Sequence, residues 1–150
     1  MCRYLARRED IDAKRIAIWG DSFAATNLPG MLLDQSVSQQ PGPRPIHQAE
    51  PLGALLAILT ALYEDGVKAV AGRRGLVSYM SVLSDRFTYV PQDVIVPGIL
   101  EAGDISDVTA SLAPRPVLVD ESVDGRNCAV DGEKPAPEGV AAWLARQLLR

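Results

Sequence analysis

Ser22 stands in a setting that suits a nucleophilic hydroxyl. It follows the apolar run Ile16–Trp19, and it has Gly20 two residues before it and Ala24 two residues after it. A serine held in a tight turn between a buried strand and a helix needs small neighbours, because larger side chains would strike the adjacent strands. Ala24 stands where the G-x-S-x-G pattern has its second glycine. The spacing therefore predicts a hydroxyl presented to solvent at the carboxyl end of a strand, where it could attack an acyl carbon.

The backbone around this serine could stabilise the negative charge of such an attack. The N–H of Phe23 is placed to donate to an oxyanion, and the first turn of a helix after Ser22 would add its dipole. A second interpretation stays open. Gly20, Asp21 and Ser22 could form an ordinary turn in which Ser22 caps a helix without doing chemistry.

A serine hydroxyl becomes a strong nucleophile only beside a general base, and the sequence has one histidine. His47 lies in the proline-rich stretch 36–51, and Glu50 follows it three residues later. We take His47 as the candidate base, with Glu50 or Asp124 as the carboxylate that orients it. The alternative is that His47 is a structural or exposed loop residue.

The elements that must position these residues alternate along the chain. The apolar spacing predicts a helix over Leu52–Tyr63 and a last helix from about Glu138, and short buried strands over Ile16–Trp19, Val67–Ala71 and Val117–Val119. Such alternation favours a mainly parallel sheet with helices on its faces. We predict a three-layer α/β/α sandwich in which functional residues gather at the carboxyl ends of the strands.

Several shorter segments complete this prediction. Residues 84–103 read as an extended loop, and Asp104 reads as the N-cap of a helix, with Asp107 at helix-start spacing that needs no metal. Arg73 and Arg74 follow a predicted strand and could hold an anionic group, but we take them as a solvated turn, which is the simpler explanation.

Composition excludes several classes of function. The 150 residues fit one domain, and a net charge of −4 with scattered basic residues argues against nucleic acid or an anionic membrane as a partner. The longest apolar window is too short to span a bilayer, and the first residues show no signal-peptide pattern, so we expect a cytoplasmic protein. Cys2 and Cys128 read as free thiols. No phosphate loop, dinucleotide fingerprint or metal cluster is present in the sequence, so we predict no cofactor and no metal.

Three blocks of the sequence resemble a known family. They are RIAIWGDSFAATN, HQAEPLGALLAILTALYEDGVKAV and VPGILEAGDISDVTASLAPRPVLV. They are similar to the carboxyl-terminal half of α/β-hydrolase esterases of the acetyl xylan esterase and dienelactone hydrolase-like branch. The resemblance covers about residues 11–149, and its most specific parts are the block around Ser22 and the segment Leu112–Val119.

The resemblance implies an activity and a set of roles. It implies a serine esterase for acetyl or other short-chain esters, with Ser22 as nucleophile and the Phe23 N–H as an oxyanion donor. Asp124, in the loop after the strand Val117–Val119, would be the acid of the triad. Asp120 is the competing candidate for that role.

The chain departs from this family in two respects. The family's histidine follows the last strand, whereas residues 131–150 contain none. The family's first strands are also missing from a domain that spans residues 1–150, so the strand before Ser22 would have an unpaired edge, and we predict a homodimer. A catalytically inactive remnant that binds a partner or dimerises is the alternative. An SGNH (GDSL-type) hydrolase is a further one, but its Asp-x-x-His and Gly-x-Asn-Asp blocks are not in the sequence.

Overall fold

The computed structural model describes residues 2–28, 48–130 and 138–149. Within these ranges, one parallel sheet contains the strands β1 (Ile16–Gly20), β2 (Val67–Arg73) and β3 (Val117–Asp120), in the order β1-β2-β3. The helices are α1 (Cys2–Leu5), α2 (Leu52–Tyr63), α3 (Tyr79–Leu83), α4 (Ile99–Ala102), α5 (Ile105–Ala110) and α6 (Val140–Leu148), and a 3-10 turn covers Gln92–Val94. The predicted alternation of helices with parallel strands is confirmed, and the chain has a small α/β fold.

The central strand β2 is buried along most of its length. Val67 and Val70 pack against α2, while Ala69 and Ala71 pack against Val140 and other residues of α6. Side chains of a strand point alternately to its two faces, so a strand covered on both sides reads as a continuous apolar run. This is why Val67–Ala71 carries no alternating polar pattern, apart from the exposed Lys68.

The helix α2 forms where the apolar spacing predicted it. Its buried positions follow helical periodicity and are Ala54, Ala57, Ile58 and Ala61. Pro51 stands immediately before the first helical residue, where a fixed φ and a missing N–H cost nothing. Small residues on the buried face let the helix approach the sheet closely.

The segment 84–103 differs from its prediction as an extended loop. It contains the 3-10 turn Gln92–Val94 and the one-turn helix α4, and it buries Val94 against Tyr79 of α3. The Tyr79 hydroxyl donates to the Val94 carbonyl at 2.6 Å, which satisfies two buried polar groups. The predicted N-cap Asp104 is confirmed by a capping box with Asp107 at the start of α5.

Strand β1 forms one edge of the sheet. Its register pairs Ala17 with Ala69 and Gly20 with Gly72, and no described strand lies on its other side. The indole of Trp19 is 46% exposed at this edge. The unpaired edge expected from the sequence is therefore present in the described part of the chain.

Across the three described ranges, every helix is too short or too polar to traverse a lipid bilayer.

Candidate active site

The turn that carries Ser22 begins at a close contact between β1 and α2. A Cβ atom on Gly20 would lie 1.9 Å from the carbonyl oxygen of Gly53, a distance that no side chain tolerates. A Cβ on Gly53 would in turn lie 2.5 Å from the carbonyl oxygen of Asp21. The predicted need for a small residue two positions before Ser22 is confirmed. The group that excludes a larger side chain there is the backbone of α2, whereas the sequence led us to expect a neighbouring strand.

The chain after Ser22 does not form a helix. Residues 21–28 contain no helical residue, and the Ser22 Oγ accepts the N–H of Ala24 at 3.3 Å. This is a local turn of the kind that serine side chains make with nearby backbone. The predicted helix dipole behind Ser22 is therefore wrong, and so is the alternative in which Ser22 caps a helix.

Hydrogen bonds to a distant loop explain why this segment is extended. The N–H of Asn27 donates to the carbonyl of Asn127 at 2.7 Å, and its side-chain amide donates to the carbonyl of Arg126 at 2.8 Å. The Asn127 amide donates to the carbonyl of Ala25 at 2.8 Å. Both asparagines are buried, and we call these three bonds the Asn clasp. Backbone groups that a helix would use internally are committed to residues about 100 positions away.

Asp124 belongs to the loop that the Asn clasp holds. Its Oδ1 accepts the N–H groups of Arg126 at 2.8 Å and Cys128 at 2.9 Å, so the carboxylate organises the turn. Its Oδ2 has longer contacts, of 3.3 to 3.4 Å, with the partly exposed guanidinium of Arg126. The backbone therefore fixes Oδ1, whereas Oδ2 faces the Arg126 guanidinium, which can move to another rotamer.

The remaining predicted site residues lie in different surroundings. Asp120, the competitor of Asp124, is a buried residue at the last position of β3. Glu50 is exposed, next to Ala49, whose N–H donates to the Tyr89 carbonyl. The candidate base His47 lies outside the described residues.

Access to the Ser22 hydroxyl is narrower than predicted. Residue 22 is 4% exposed, whereas the neighbouring Phe23 is 89% exposed. The position at the carboxyl end of β1 agrees with the prediction, but the open presentation to solvent is wrong. The role of the Phe23 N–H as an oxyanion donor stays a prediction.

An ion-pair cluster spans the carboxyl ends of the three strands. Arg73 at the end of β2 contacts Asp21 at 3.4 Å and Glu121 at 3.1 Å, and Arg74 contacts Glu121 at 2.8 Å. The sequence showed arginines after one strand and acids after another, but only the strand register makes them neighbours. The interpretation of the arginines as a solvated turn is corrected, because their side chains are about 30% exposed and paired with acids.

Replacing Glu121 by glutamine is expected to weaken the dependence of stability on acidic pH. Burial raises the pKa of Glu121, but the Arg74 hydrogen bond and the charges of both arginines outweigh it, so the pKa lies below its usual value. A lowered pKa in the folded state stabilises the protein at neutral pH. That contribution is lost as pH falls from the unfolded value, about 4.3, through the lower folded pKa.

Urea denaturation at neutral pH and at pH values below 4.3 measures this effect. The wild type should lose more free energy of unfolding between the two conditions than Glu121→Gln does. Glu101→Gln, which changes an exposed glutamate on α4, is the control and should follow the wild type. Equal losses in all three proteins would contradict the predicted role of Glu121.

Cys128 is the other nucleophilic side chain near the Asn clasp. Burial raises the pKa of its thiol, and the negative charge of Asp124 raises it further. The thiol is therefore protonated at neutral pH and is a poor competitor of Ser22. Both Cys2 and Cys128 are free cysteines, as predicted.

In residues 2–28, 48–130 and 138–149, no group of three or more histidine, cysteine, aspartate or glutamate side chains is placed to hold a metal ion. Comparison with protein-family models, with curated proteins and with solved structures gave no match.

Proposed function

We propose that the chain is a serine ester hydrolase of the α/β-hydrolase type that acts on acetyl or other short-chain esters. The observation that carries the proposal is the Asn clasp, because it joins the segment after Ser22 to the loop that bears Asp124. Nucleophile and acid of a triad come from separate parts of a chain and must be fixed relative to each other. The clasp supplies such a connection.

The geometry of Asp124 supports its role as the orienting acid. Two backbone N–H groups hold Oδ1, so the carboxylate has a defined position. The weaker contacts of Oδ2 with Arg126 leave an oxygen that an imidazole N–H could take as its acceptor. A carboxylate fixed in this way can set the tautomer and orientation of a histidine.

The proposed reaction proceeds through an acyl-enzyme. His47 takes the proton of Ser22 as its Oγ attacks the ester carbonyl carbon, and the Phe23 N–H donates to the oxyanion. The C–O bond to the alcohol breaks, and His47 returns the proton to the leaving oxygen. Water, deprotonated by the same histidine, then attacks the acyl carbon. This attack breaks the acyl bond to the Ser22 Oγ and releases the carboxylic acid, and the proton on His47 returns to the Oγ.

The proposal includes the finer features expected from the sequence. They are a truncated three-layer α/β/α sandwich, supported by the packing of α2 against Val67 and Val70 of β2 and of α6 against Ala69 and Ala71, and a homodimer that requires no cofactor. A cytoplasmic location fits the two free cysteines, because exposure to an oxidising compartment favours disulfides.

Hydrolysis of p-nitrophenyl acetate by the full chain tests the proposed function. We expect turnover above that of heat-inactivated protein, and faster turnover of the acetyl ester than of a long-chain ester. Rates equal to the inactivated control with every ester would contradict the proposal.

A second candidate function is a non-catalytic binding or dimerising module. The low exposure of Ser22 favours it, since a buried hydroxyl bonded to its own turn can serve structure alone. This candidate predicts a folded chain without esterase turnover.

A further inference from the structure

We infer that the outer edge of β1 is the dimer interface of this protein, and that two copies pair β1 with β1 in antiparallel fashion about a two-fold axis at Ile18. This inference concerns assembly, so it stands whether or not Ser22 is catalytic. The occupant of the edge is a second copy of this chain.

Among the described residues, no strand pairs with the outer edge of β1, and an apolar groove lies beside it. The groove measures about 560 Å³ and runs between β1 and α2, with Cys2 and Leu5 of α1 among its lining residues. Its α2 side is formed by Gly53, Leu56 and Thr60, at helical spacing, and Leu56 is 53% exposed. An unpaired strand flanked by exposed apolar side chains favours the addition of another strand.

Symmetry restricts the ways in which two copies of β1 can pair. A two-fold axis perpendicular to the sheet keeps each face continuous, so the α2 helices share one side and the α6 helices share the other. Paired residues then have numbers of the same parity, because side chains alternate between faces. Only when the axis passes through Ile18 does each of the five residues of β1, Ile16–Gly20, lie opposite a β1 residue of the second copy.

In this register, small side chains of one copy lie opposite large side chains of the other. It places Ala17 opposite Trp19 of the second copy, so a methyl group faces an indole twice across the axis. Ile18 lies opposite itself on the side of α2. Cross-strand neighbours of this kind stabilise antiparallel pairs.

The same register is complementary in charge. If the pairing continues for one residue beyond each end of β1, Arg15 of each copy lies opposite Asp21 of the other copy. The Asp21 carboxylate has a long contact within its own chain, 3.4 Å from Oδ2 to the Arg73 guanidinium, which leaves it able to accept from Arg15 of the second copy. Arg15 is half exposed and contacts Asp12 of its own chain. Shifting the centre to Ala17 or Trp19 loses both of these opposite-charge pairs.

Cysteine cross-linking tests the register directly. In a Cys2→Ser background, Ile18→Cys should form an intermolecular disulfide under mild oxidation, because a residue on the axis lies about 5 Å from its own copy. Val119→Cys is the matched control, since Val119 is 40% exposed on the opposite edge strand and should stay uncross-linked. Cross-linking of Ile18→Cys no faster than that of Val119→Cys would overturn the proposed interface.

Charge reversal tests the pairing of Arg15 with Asp21. We expect light scattering at micromolar concentration to show a dimer for the wild type and for Arg86→Asp, which makes the same charge change at an exposed turn. Arg15→Asp should raise the dimer dissociation constant at least tenfold. A monomeric wild type, or equal dissociation constants for the two variants, would overturn the inference.

Discussion

Replacing Ser22 by alanine is expected to lower the turnover of p-nitrophenyl acetate by about a thousandfold or more. The reason is that the proposed reaction forms its covalent intermediate on the Ser22 Oγ, and alanine has no atom to take its place. The substitution removes one oxygen and the hydrogen bond from the Ala24 N–H, so the fold should survive. Circular dichroism and urea denaturation of the variant establish that survival.

A matched serine substitution separates catalysis from general effects on the protein. Ser106 is exposed on α5, and Ser106→Ala should keep wild-type turnover. Asp124→Asn should also lower turnover, but it will loosen the turn that accepts the N–H groups of Arg126 and Cys128. Its activity must therefore be compared at equal folded fraction. Full turnover by a folded Ser22→Ala variant would show that another group carries the reaction.

Replacing Gly20 by alanine is expected to lower the free energy of unfolding by about 3 kcal/mol or more, at the upper end of the cost of overpacking. The added Cβ would lie 1.9 Å from the Gly53 carbonyl oxygen and 2.8 Å from the Ala54 nitrogen. These are backbone atoms of α2, which cannot rotate away as a side chain could. Either β1 or the start of α2 must shift, and both belong to the core.

Urea denaturation measures the cost at Gly20. Gly66→Ala is the control, because a Cβ on Gly66 meets no atom within 4 Å, and its effect should stay within about 1 kcal/mol in either direction. If Gly20→Ala matched Gly66→Ala in midpoint and slope, the close contact between β1 and α2 would not exist in solution. The comparison also bears on the site, since Ser22 follows this contact by two residues.

Features that depend on neighbouring residues could be predicted from the sequence. The helix α2 follows from apolar spacing after Pro51, and the N-cap Asp104 follows from its type and from Asp107 three residues later. The strand β2 follows from an apolar run of suitable length. In each case the physical cause lies within a few residues, so one sequence contains it.

Features that depend on distant partners could not be predicted in the same way. The helix expected after Ser22 does not form, because the Asn clasp takes up the backbone of that segment. Nothing around Asn27 indicates a partner about 100 residues away. The need for Gly20 was predictable, but the identity of the group that presses on it was not.

The ion-pair cluster shows the same limit. Arg73, Asp21 and Glu121 each follow a predicted strand, and that much is visible in the sequence. Their contacts depend on the register that aligns Gly20 with Gly72 and Arg73 with Asp120. Register follows from packing on both faces of the sheet, and residue types alone do not specify it.

Reaction with a fluorophosphonate, followed by mass spectrometric mapping, tests the central claim most directly. The reagent phosphonylates a serine oxygen only where a base has activated the hydroxyl. We predict a single adduct on Ser22 of the wild-type chain and none on that peptide after denaturation before labelling. A folded wild-type chain in which Ser22 stays unlabelled would contradict the account of this protein as a serine hydrolase.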